Sequence, residues 1–302
     1  MNDHSNNSPT EIGMFLDLRV DWAFKYFFFK KENLVKLLGD VLDMEVLDIE
    51  YLPNEIPVYS EKDKRSVMDV QCRTTTGKYI IEMQYAADSD MDDRLMYYGA
   101  SALHNQVDRG ADKYHLLPVY VLCIANYVRS HSVTPSEDQV LFHYQMREKE
   151  TGEILDGNKL SFYYLELSRL QKIWDKLSNN TERWCFLFRN FPNFAKGVPV
   201  PADLHGFEQV VENARTGGLS EEQKTEYRIA MITEYDKLVI GEYHLQKGIE
   251  QGLQQGLQQG IQQGIEQNTI ATAKKLISMK MDVRFICEVT GLPEDKVKSL
   301  MN

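Results

Sequence analysis

Alternating apolar and polar positions mark the stretch from 66 to 85, SVMDVQCRTTTGKYIIEMQY. Its two halves are rich in β-branched and aromatic residues, and TTTG lies between them, so the pattern predicts a β-hairpin. If the turn is tight and centred on Thr75 and Thr76, Asp69 lies opposite Glu82. The two-residue period of a strand then puts Gln84 on the same face as Glu82. Three polar side chains are therefore expected to converge at one end of the hairpin.

The positions around this hairpin predict alternating helices and strands. A helical period over 17–42 predicts one helix with a single apolar stripe, made of Phe24, Phe27, Phe28, Leu34, Leu37, Leu38 and Val41. A first strand is expected over 46–52, and a helix begins near Asp92 after a run of acidic residues that suits the helix dipole. The apolar run HLLPVYVLCIANY predicts a buried central strand, and strands follow over 140–147 and 160–167. Together these elements predict an α/β domain.

The chain from residue 168 onward is predicted to be largely helical. From 168 to 243 its aromatic residues are expected to close over one face of the sheet; they include Trp174, Trp184, Phe186, Phe188 and Phe191. A four-residue repeat follows, with glycine at positions 248, 252, 256, 260 and 264, each followed by Ile or Leu and otherwise mostly Gln. Glycine in a helix interior costs roughly 1 kcal/mol. The repeat is therefore either a flexible linker or a helical stalk that self-associates, and its uninterrupted apolar spacing favours the stalk.

We expect four regions along the chain. Residues 1–13 form a disordered N-terminus, 14–245 a folded domain with a helical C-terminal part, 246–268 the repeat stalk or linker, and 269–302 a small helical unit. Within that unit ICEVTGLPEDKVKSL resembles a helix-turn-helix fragment, which leaves DNA reading and a packing or dimerisation cap as alternatives.

Composition narrows the class of protein. The apolar fraction of 43% is ordinary for a globular protein, no signal peptide is recognisable, and the longest apolar run is about half a membrane span. We therefore expect a soluble, cytoplasmic protein without membrane contact. The four cysteines lack CxxC spacing and the seven histidines are scattered, so free thiols are expected and a zinc or histidine metal site is not.

The charge balance bears on nucleic-acid binding. With 34 basic and 45 acidic residues the net charge is −11, which argues against a broadly basic binding surface. A nuclease is still possible if a local patch contacts the phosphate backbone. Lys62, Lys64 and Arg65, just before the hairpin, are candidates for such a patch, although a solvated loop is the alternative.

The carboxylates of Asp69 and Glu82 carry the candidate chemistry. Two carboxylates opposite each other on neighbouring strands repel unless a cation lies between them. Hard oxygen ligands with positions left for water suit Mg²⁺. The alternative is a solvated hairpin face that is acidic by chance.

The surrounding motifs favour the metal site. The D-x(n)-E-x-Q pattern of Asp69, Glu82 and Gln84 is preceded by DLRVDWAFKYFF and followed by RLMYYGASALHNQVDRGADKYHLLPVYVLCI. In order and spacing these motifs resemble the recombination-promoting nuclease/putative transposase family of the PD-(D/E)XK nuclease superfamily, over roughly residues 16–170. The resemblance implies a restriction-endonuclease-like fold, with a mixed sheet flanked by helices, a helical C-terminal region and a Gln/Gly repeat tail.

The same resemblance implies roles for individual residues. Asp69, Glu82 and Gln84 are then the catalytic residues, and Asp69 and Glu82 hold Mg²⁺. Gln84 stands where many superfamily members have lysine, so it can orient water but supplies no positive charge.

Two further pairs match family motifs. Asp21 and Lys25 match the opening D-x-x-F-K signature, and are either a simple i,i+4 ion pair or groups beside the metal site. Arg94 and Tyr98 match R-x-x-x-Y. They either contact the scissile phosphate or orient Gln84, or else they are an exposed arginine beside a half-buried tyrosine.

The sequence thus predicts a metal-dependent DNA endonuclease, with a role in recombination or transposition implied by the family name. Its partners would be DNA and, through the C-terminal repeat, a second copy of the chain. The alternative is a module that keeps the nuclease fold but only binds DNA or self-assembles. The net acidity and the missing lysine favour this alternative.

Overall fold

A computed structural model of the chain describes residues 12–55, 67–107, 113–194 and 196–301. Six strands form the sheet: β1 Glu50–Tyr51, β2 Val70–Arg73, β3 Lys78–Gln84, β4 Val119–Ala125, β5 Leu141–Gln145 and β6 Leu160–Glu166. The helices in these ranges are α1 Asp21–Phe28, α2 Lys31–Leu42, α3 Met91–His104, α4 Asn180–Asn190, α5 Glu208–Asn213, α6 Glu221–Ser278, α7 Val283–Thr290 and α8 Glu294–Ser299. No helix in the described ranges is long and apolar enough to cross a membrane.

The sheet is mixed and runs in the order β1-β2-β3-β4-β6-β5. Strands β3, β4 and β6 are parallel, and the remaining pairs are antiparallel. The predicted central strand is confirmed: β4 lies between β3 and β6, and six of its side chains are buried, namely Val119, Val121, Leu122, Cys123, Ile124 and Ala125. A strand covered on both faces needs apolar residues at successive positions, which explains the continuous run.

Helices cover both faces of the sheet. On one face α1, α2 and α4 pack on Ile81 of β3 and Leu122 of β4, in what we call the first core. On the other face α3 packs on Ile80 and Val121, in the second core. This arrangement confirms the predicted α/β class with a mixed sheet flanked by helices. The aromatic residues predicted to close over the sheet belong to the first core, where Phe186 is partly buried and Trp174, Trp184, Phe188 and Phe191 are buried.

The prediction of one helix over 17–42 is wrong, because the chain turns at Phe29 and Lys30. Lys30 has an extended backbone, so α1 ends and α2 starts in a new direction. All seven residues of the predicted stripe are nevertheless buried. Asp17 also lies outside the helix: its carboxylate accepts hydrogen bonds from the backbone and side chain of Arg19, a local pairing that competes with helix formation. The first strand is likewise shorter than 46–52.

The chain divides into two compact units, with the boundary after Tyr235. Helix α6 contains the Gln/Gly repeat, and a Cβ placed on any of the repeat glycines would meet nothing within 4 Å. The Ile and Leu side chains of the repeat are 55–73% exposed. In the second unit a small buried cluster joins Ala273 of α6, Ile286 of α7 and Val297 of α8.

Candidate active site

The β2–β3 hairpin has the predicted register. Val70 pairs with Ile81, so the next position out places Asp69 opposite Glu82. Thr74 shapes the turn, since its hydroxyl oxygen accepts hydrogen bonds from the backbone amides of Thr76 and Gly77. Gly77 has no unusual backbone angle, but there is little room for a side chain at this position. A Cβ there would lie 2.8 Å from the ring of Tyr120.

Asp69 and Glu82 are fixed to each other's backbone. The amide of Asp69 donates to Glu82 Oε1 at 3.0 Å, and the amide of Met83 donates to Asp69 Oδ2 at 2.8 Å. One oxygen of each carboxylate is therefore occupied by a backbone donor. Within the described ranges Glu82 Oε2 accepts no hydrogen bond, whereas Asp69 Oδ1 faces Lys25 Nζ at 3.7 Å and the Asp21 carboxyl lies within hydrogen-bonding reach of the Asp69 carboxyl. The two side chains are held rigidly, and each keeps one oxygen that no backbone amide occupies.

Burial raises the free energy of the ionised forms of Asp69 and Glu82. Glu82 is only 3% exposed, and the side chain of Asp69 is 16% exposed. Burial raises the pKa of the Glu82 carboxyl, and the neighbouring charge of Asp69 raises it further. Burial likewise raises the pKa of the Asp69 carboxyl, with Asp21 adding to the effect and the Met83 amide opposing it. Two ionised carboxylates at this position would be stabilised by a cation.

Lys25 of α1 lies beside the pair. Its Nζ is 2.7 Å from Asp21 Oδ1 and 3.7 Å from Asp69 Oδ1. Burial by itself would lower the pKa of the Lys25 ammonium, but the hydrogen bond to Asp21 and the charges of Asp69 and Asp21 outweigh it, so that the pKa is raised. The sequence left open whether Asp21 and Lys25 are a helical ion pair or belong to the site. The structure shows the ion pair and places Lys25 Nζ 3.7 Å from Asp69 Oδ1, while a role of the two residues at the site stays a prediction.

Gln84 is the last residue of β3, and the strand period puts it on the Glu82 face. It is half-buried, and its carbonyl oxygen accepts a hydrogen bond from the Asn126 amide. Its side-chain amide makes no hydrogen bond within the described part of the chain. It is therefore available to a water or a ligand at the C-terminal end of β3.

Arg94 lies on α3, near enough to Glu82 for its charge to oppose the rise in the Glu82 pKa. Its Nη1 is 3.7 Å from Asp88 Oδ2, and its Nη2 donates to the sulfur of Met91 at 3.4 Å. The buried Nε has no partner within the described ranges. The guanidinium thus keeps an unused donor on the side of the second core.

Tyr98 lies one turn after Arg94 and is 3% exposed. Its hydroxyl donates to the carbonyl of Val67 at 3.3 Å. Burial raises the pKa of the Tyr98 hydroxyl to about 12, and the charge of Glu82 contributes. The residue is buried, which corrects the alternative of a half-buried tyrosine and places the hydroxyl in the electrostatic range of the carboxylate pair.

A nearby cluster was not identified from sequence. The sequence places Asp92 only among the acidic residues that suit the helix dipole, but its carboxylate accepts two hydrogen bonds from Arg129 Nη2 at 2.8–2.9 Å and one from the Tyr164 hydroxyl at 2.8 Å. Arg129 also lies 3.6 Å above the Tyr164 ring. Arg129 is 37 positions from Asp92 along the chain, so no local spacing could have indicated the pair. This cluster ties the start of α3 to β6.

The residues present fit a divalent metal ion of limited protein coordination. Two carboxylates, each with one oxygen that no backbone amide occupies, match a cation that keeps most of its water ligands. Among the described residues no group of three or more His, Cys, Asp or Glu side chains is placed to hold a metal. Asp69 and Glu82 would therefore be its protein ligands. The predicted cationic patch of Lys62, Lys64 and Arg65 lies outside the described residues.

Comparison with known proteins agrees with this geometry. A family model described as PD-(D/E)XK nuclease family transposase matches residues 18–242, well over half of the chain and including every residue of the site. No curated protein and no solved structure matches the chain significantly. The family name implies a nuclease-type function with DNA as the substrate, and the superfamily generally uses divalent metals. The chain belongs to the PD-(D/E)XK nuclease family transposases.

Proposed function

We propose that this protein is a metal-dependent endonuclease that hydrolyses phosphodiester bonds of DNA, with Mg²⁺ as its metal. The observation that carries the proposal is the buried Asp69–Glu82 pair, in which each carboxylate accepts the other strand's backbone amide and keeps one oxygen that no backbone amide occupies. Each carboxylate satisfies a backbone amide beyond the paired part of β2 and β3, but burying two carboxylates beside each other remains electrostatically costly. The arrangement is explained if a cation binds there.

Asp69 and Glu82 would hold the metal ion. When bound, Mg²⁺ would polarise the scissile phosphate and lower the pKa of the attacking water. Gln84 would orient that water, because its unpaired side-chain amide offers both a donor and an acceptor. Since Glu82 and Gln84 lie on one rigid strand, the water and the phosphate would be held in a fixed relation.

Arg94 and Tyr98 are proposed to act on the substrate from α3. The guanidinium of Arg94, whose side chain is 28% exposed, would contact a phosphate oxygen through its terminal nitrogens. Tyr98 would fix the chain before β2 through its bond to Val67, and so position Asp69. Asp21 and Lys25 approach Asp69 from α1.

A second candidate function is DNA binding or self-assembly without cleavage. The net charge of −11 and the uncharged Gln84 favour it. The exposed Ile and Leu row of α6 would support a homo-oligomer through the repeat in either case. Sedimentation of the full chain beside a variant with Leu253 and Leu257 changed to Gln tests that contact, which is absent if both sediment as monomers.

Cleavage of supercoiled plasmid distinguishes the two functions. The full chain is incubated with Mg²⁺, Ca²⁺ or EDTA beside Asp69→Asn and Glu82→Gln, which preserve side-chain size. Glu150→Gln, a change at an exposed acidic residue in the turn after β5, serves as the matched control. We expect nicking or linearisation with Mg²⁺ alone, at least about 10³-fold slower in the two site variants and unchanged in the control. Equal inertness of all four proteins would sink the nuclease proposal in favour of the second function.

A further inference from the structure

The three strand residues of the proposed site, Asp69, Glu82 and Gln84, carry no positive charge. Two carboxylates neutralise one divalent cation, while the scissile phosphate brings a negative charge and gains another when the water loses its proton and attacks as hydroxide, before the bond to the leaving oxygen breaks. Gln84 cannot balance this charge, because its amide is neutral. We propose that Lys25 of α1 supplies the missing cation and acts as a catalytic residue by contacting the reacting phosphate or the attacking water. This inference rests on the proposed nuclease function.

Helix α1, which carries Lys25, is anchored by packing on both of its sides. Phe24, Phe27 and Phe28 are fully buried in the first core, and Phe24 and Phe28 pack on each other at 4.8 Å. On the solvent side Trp22 stacks on Tyr227 and donates to Glu226 at 2.9 Å. The backbone of α1 is thus fixed on both sides, so that the position of Lys25 relative to Asp69 does not depend on a flexible loop.

Among the described residues, the ammonium of Lys25 has fewer hydrogen-bond acceptors than N–H donors. It carries three N–H groups. Asp21 accepts one at 2.7 Å, whereas Asp69 Oδ1, at 3.7 Å, is too far for a hydrogen bond. Two donors therefore remain for oxygens of a substrate or water. The side chain is 29% exposed, so a phosphate can approach it.

The other nearby cations are less suitable. Among the ion pairs of the described ranges, the one that reaches Asp69 comes from Lys25. Lys30, which follows α1, donates to the carbonyl of Asn213. Lys78 lies opposite Arg73 at the turn end of the hairpin, four positions from Glu82. Arg94 acts on Glu82 from α3 and is paired with Asp88. Lys25 is the cation that the fold directs toward Asp69, and Asp21 is its positioning residue.

Single-turnover cleavage of plasmid DNA with Mg²⁺ tests this role. The full chain is compared with Lys25→Met, Gln84→Lys and the double variant, and Lys31→Met serves as the control because Lys31 is an exposed lysine paired with Asp48. We expect Lys25→Met to be about 10²- to 10³-fold slower, the loss associated with removing one group that stabilises transition-state charge. The double variant should regain at least about tenfold, because a lysine at 84 restores the charge. The control should cleave at the wild-type rate.

Mg²⁺ affinity, measured by calorimetry on the same proteins, separates catalysis from structure. Lys25→Met should bind Mg²⁺ as tightly as the wild type or more tightly, since a cation beside the carboxylates is removed. Wild-type cleavage in Lys25→Met would overturn the inference and leave the nuclease function standing. Loss of both Mg²⁺ binding and cleavage without rescue by Gln84→Lys would also overturn it, by assigning Lys25 a structural role. A wild type that is itself inert with Mg²⁺ would fail the proposed function and the inference with it.

Discussion

At the residue scale, the carboxylates of Asp69 and Glu82 depend on each other. Each uses one oxygen to accept a backbone amide and so cannot turn away from its neighbour. A hydrogen bond to a charged acceptor is worth roughly 1.5–3 kcal/mol, which offsets part of the cost of burial. The remaining repulsion is relieved by protonation in the absence of metal, or by a divalent cation.

This balance predicts how metal stabilisation depends on pH. Because both carboxyl pKa values are raised in the folded state, the pair stabilises the metal-free protein fully below the ordinary range near pH 4. That stability is lost as the pH rises through the raised values. Mg²⁺ binds the ionised forms, so its stabilising effect should grow over the same window. Urea unfolding with Mg²⁺ or EDTA at pH 5 and pH 8 should show the larger Mg²⁺ effect at pH 8.

The double variant Asp69→Asn, Glu82→Gln is the control for this effect. In the metal-free state at pH 8 it should be about 1 kcal/mol or more stable than the wild type, since one pKa unit corresponds to about 1.4 kcal/mol. Mg²⁺ should not stabilise it at either pH. An equal Mg²⁺ effect at pH 5 and pH 8 in the wild type would mean that the cation binds elsewhere.

At the element scale, the site depends on how closely α3 packs on the sheet, because α3 carries Arg94 and Tyr98. Gly99 makes that approach possible: a Cβ there would lie 2.7 Å from Leu160 Cδ1 and 3.3 Å from Val121 Cγ2. Gly99 therefore lowers the intrinsic stability of α3, but it allows α3 to contact strands β4 and β6 closely. The repeat glycines of α6 differ, since nothing surrounds them.

Gly99→Val should consequently destabilise the protein by about 2–3 kcal/mol, because the branched side chain overpacks the second core. Chemical denaturation followed by tryptophan fluorescence measures this, as the three tryptophans all lie before α6. Gly256→Val is the matched control in open space and should leave the same transition unchanged while raising helix content slightly. A Gly99→Val transition at the wild-type midpoint would show that α3 can shift without cost.

At the scale of the whole molecule, the proposed function requires an acidic protein to bind a polyanion. The net charge of −11 opposes the approach of DNA, so affinity must come from few local contacts near the site. Each phosphate contact adds about −0.9 to the slope of log affinity against log salt. Anisotropy of labelled duplex with Ca²⁺ at several salt concentrations should give a shallow slope, equivalent to about one to three contacts. A slope equivalent to six or more would reveal an extended basic surface.

Several features followed from the sequence because they depend on neighbours along the chain. The hairpin register is local: TTTG sets the turn, and counting back from it pairs Asp69 with Glu82. The apolar run of β4 likewise predicts a strand buried on both faces. The length of the first helix was not predictable in this way, since its apolar stripe continues without interruption across the turn at Phe29.

The sequence by itself determined the α/β class, the hairpin and the position of Asp69 opposite Glu82, since strand period and turn length are short-range constraints. Only the tertiary structure decided that Lys25 lies beside Asp69 and that Arg129 donates its hydrogen bonds to Asp92. The same holds for the buried Nε of Arg94, which has no partner among the described residues. Those contacts join residues 37 to 44 positions apart, or depend on how closely a helix packs on the sheet. Such contacts are set by the packing of the two cores, so they cannot be predicted from the spacing of residues along the chain.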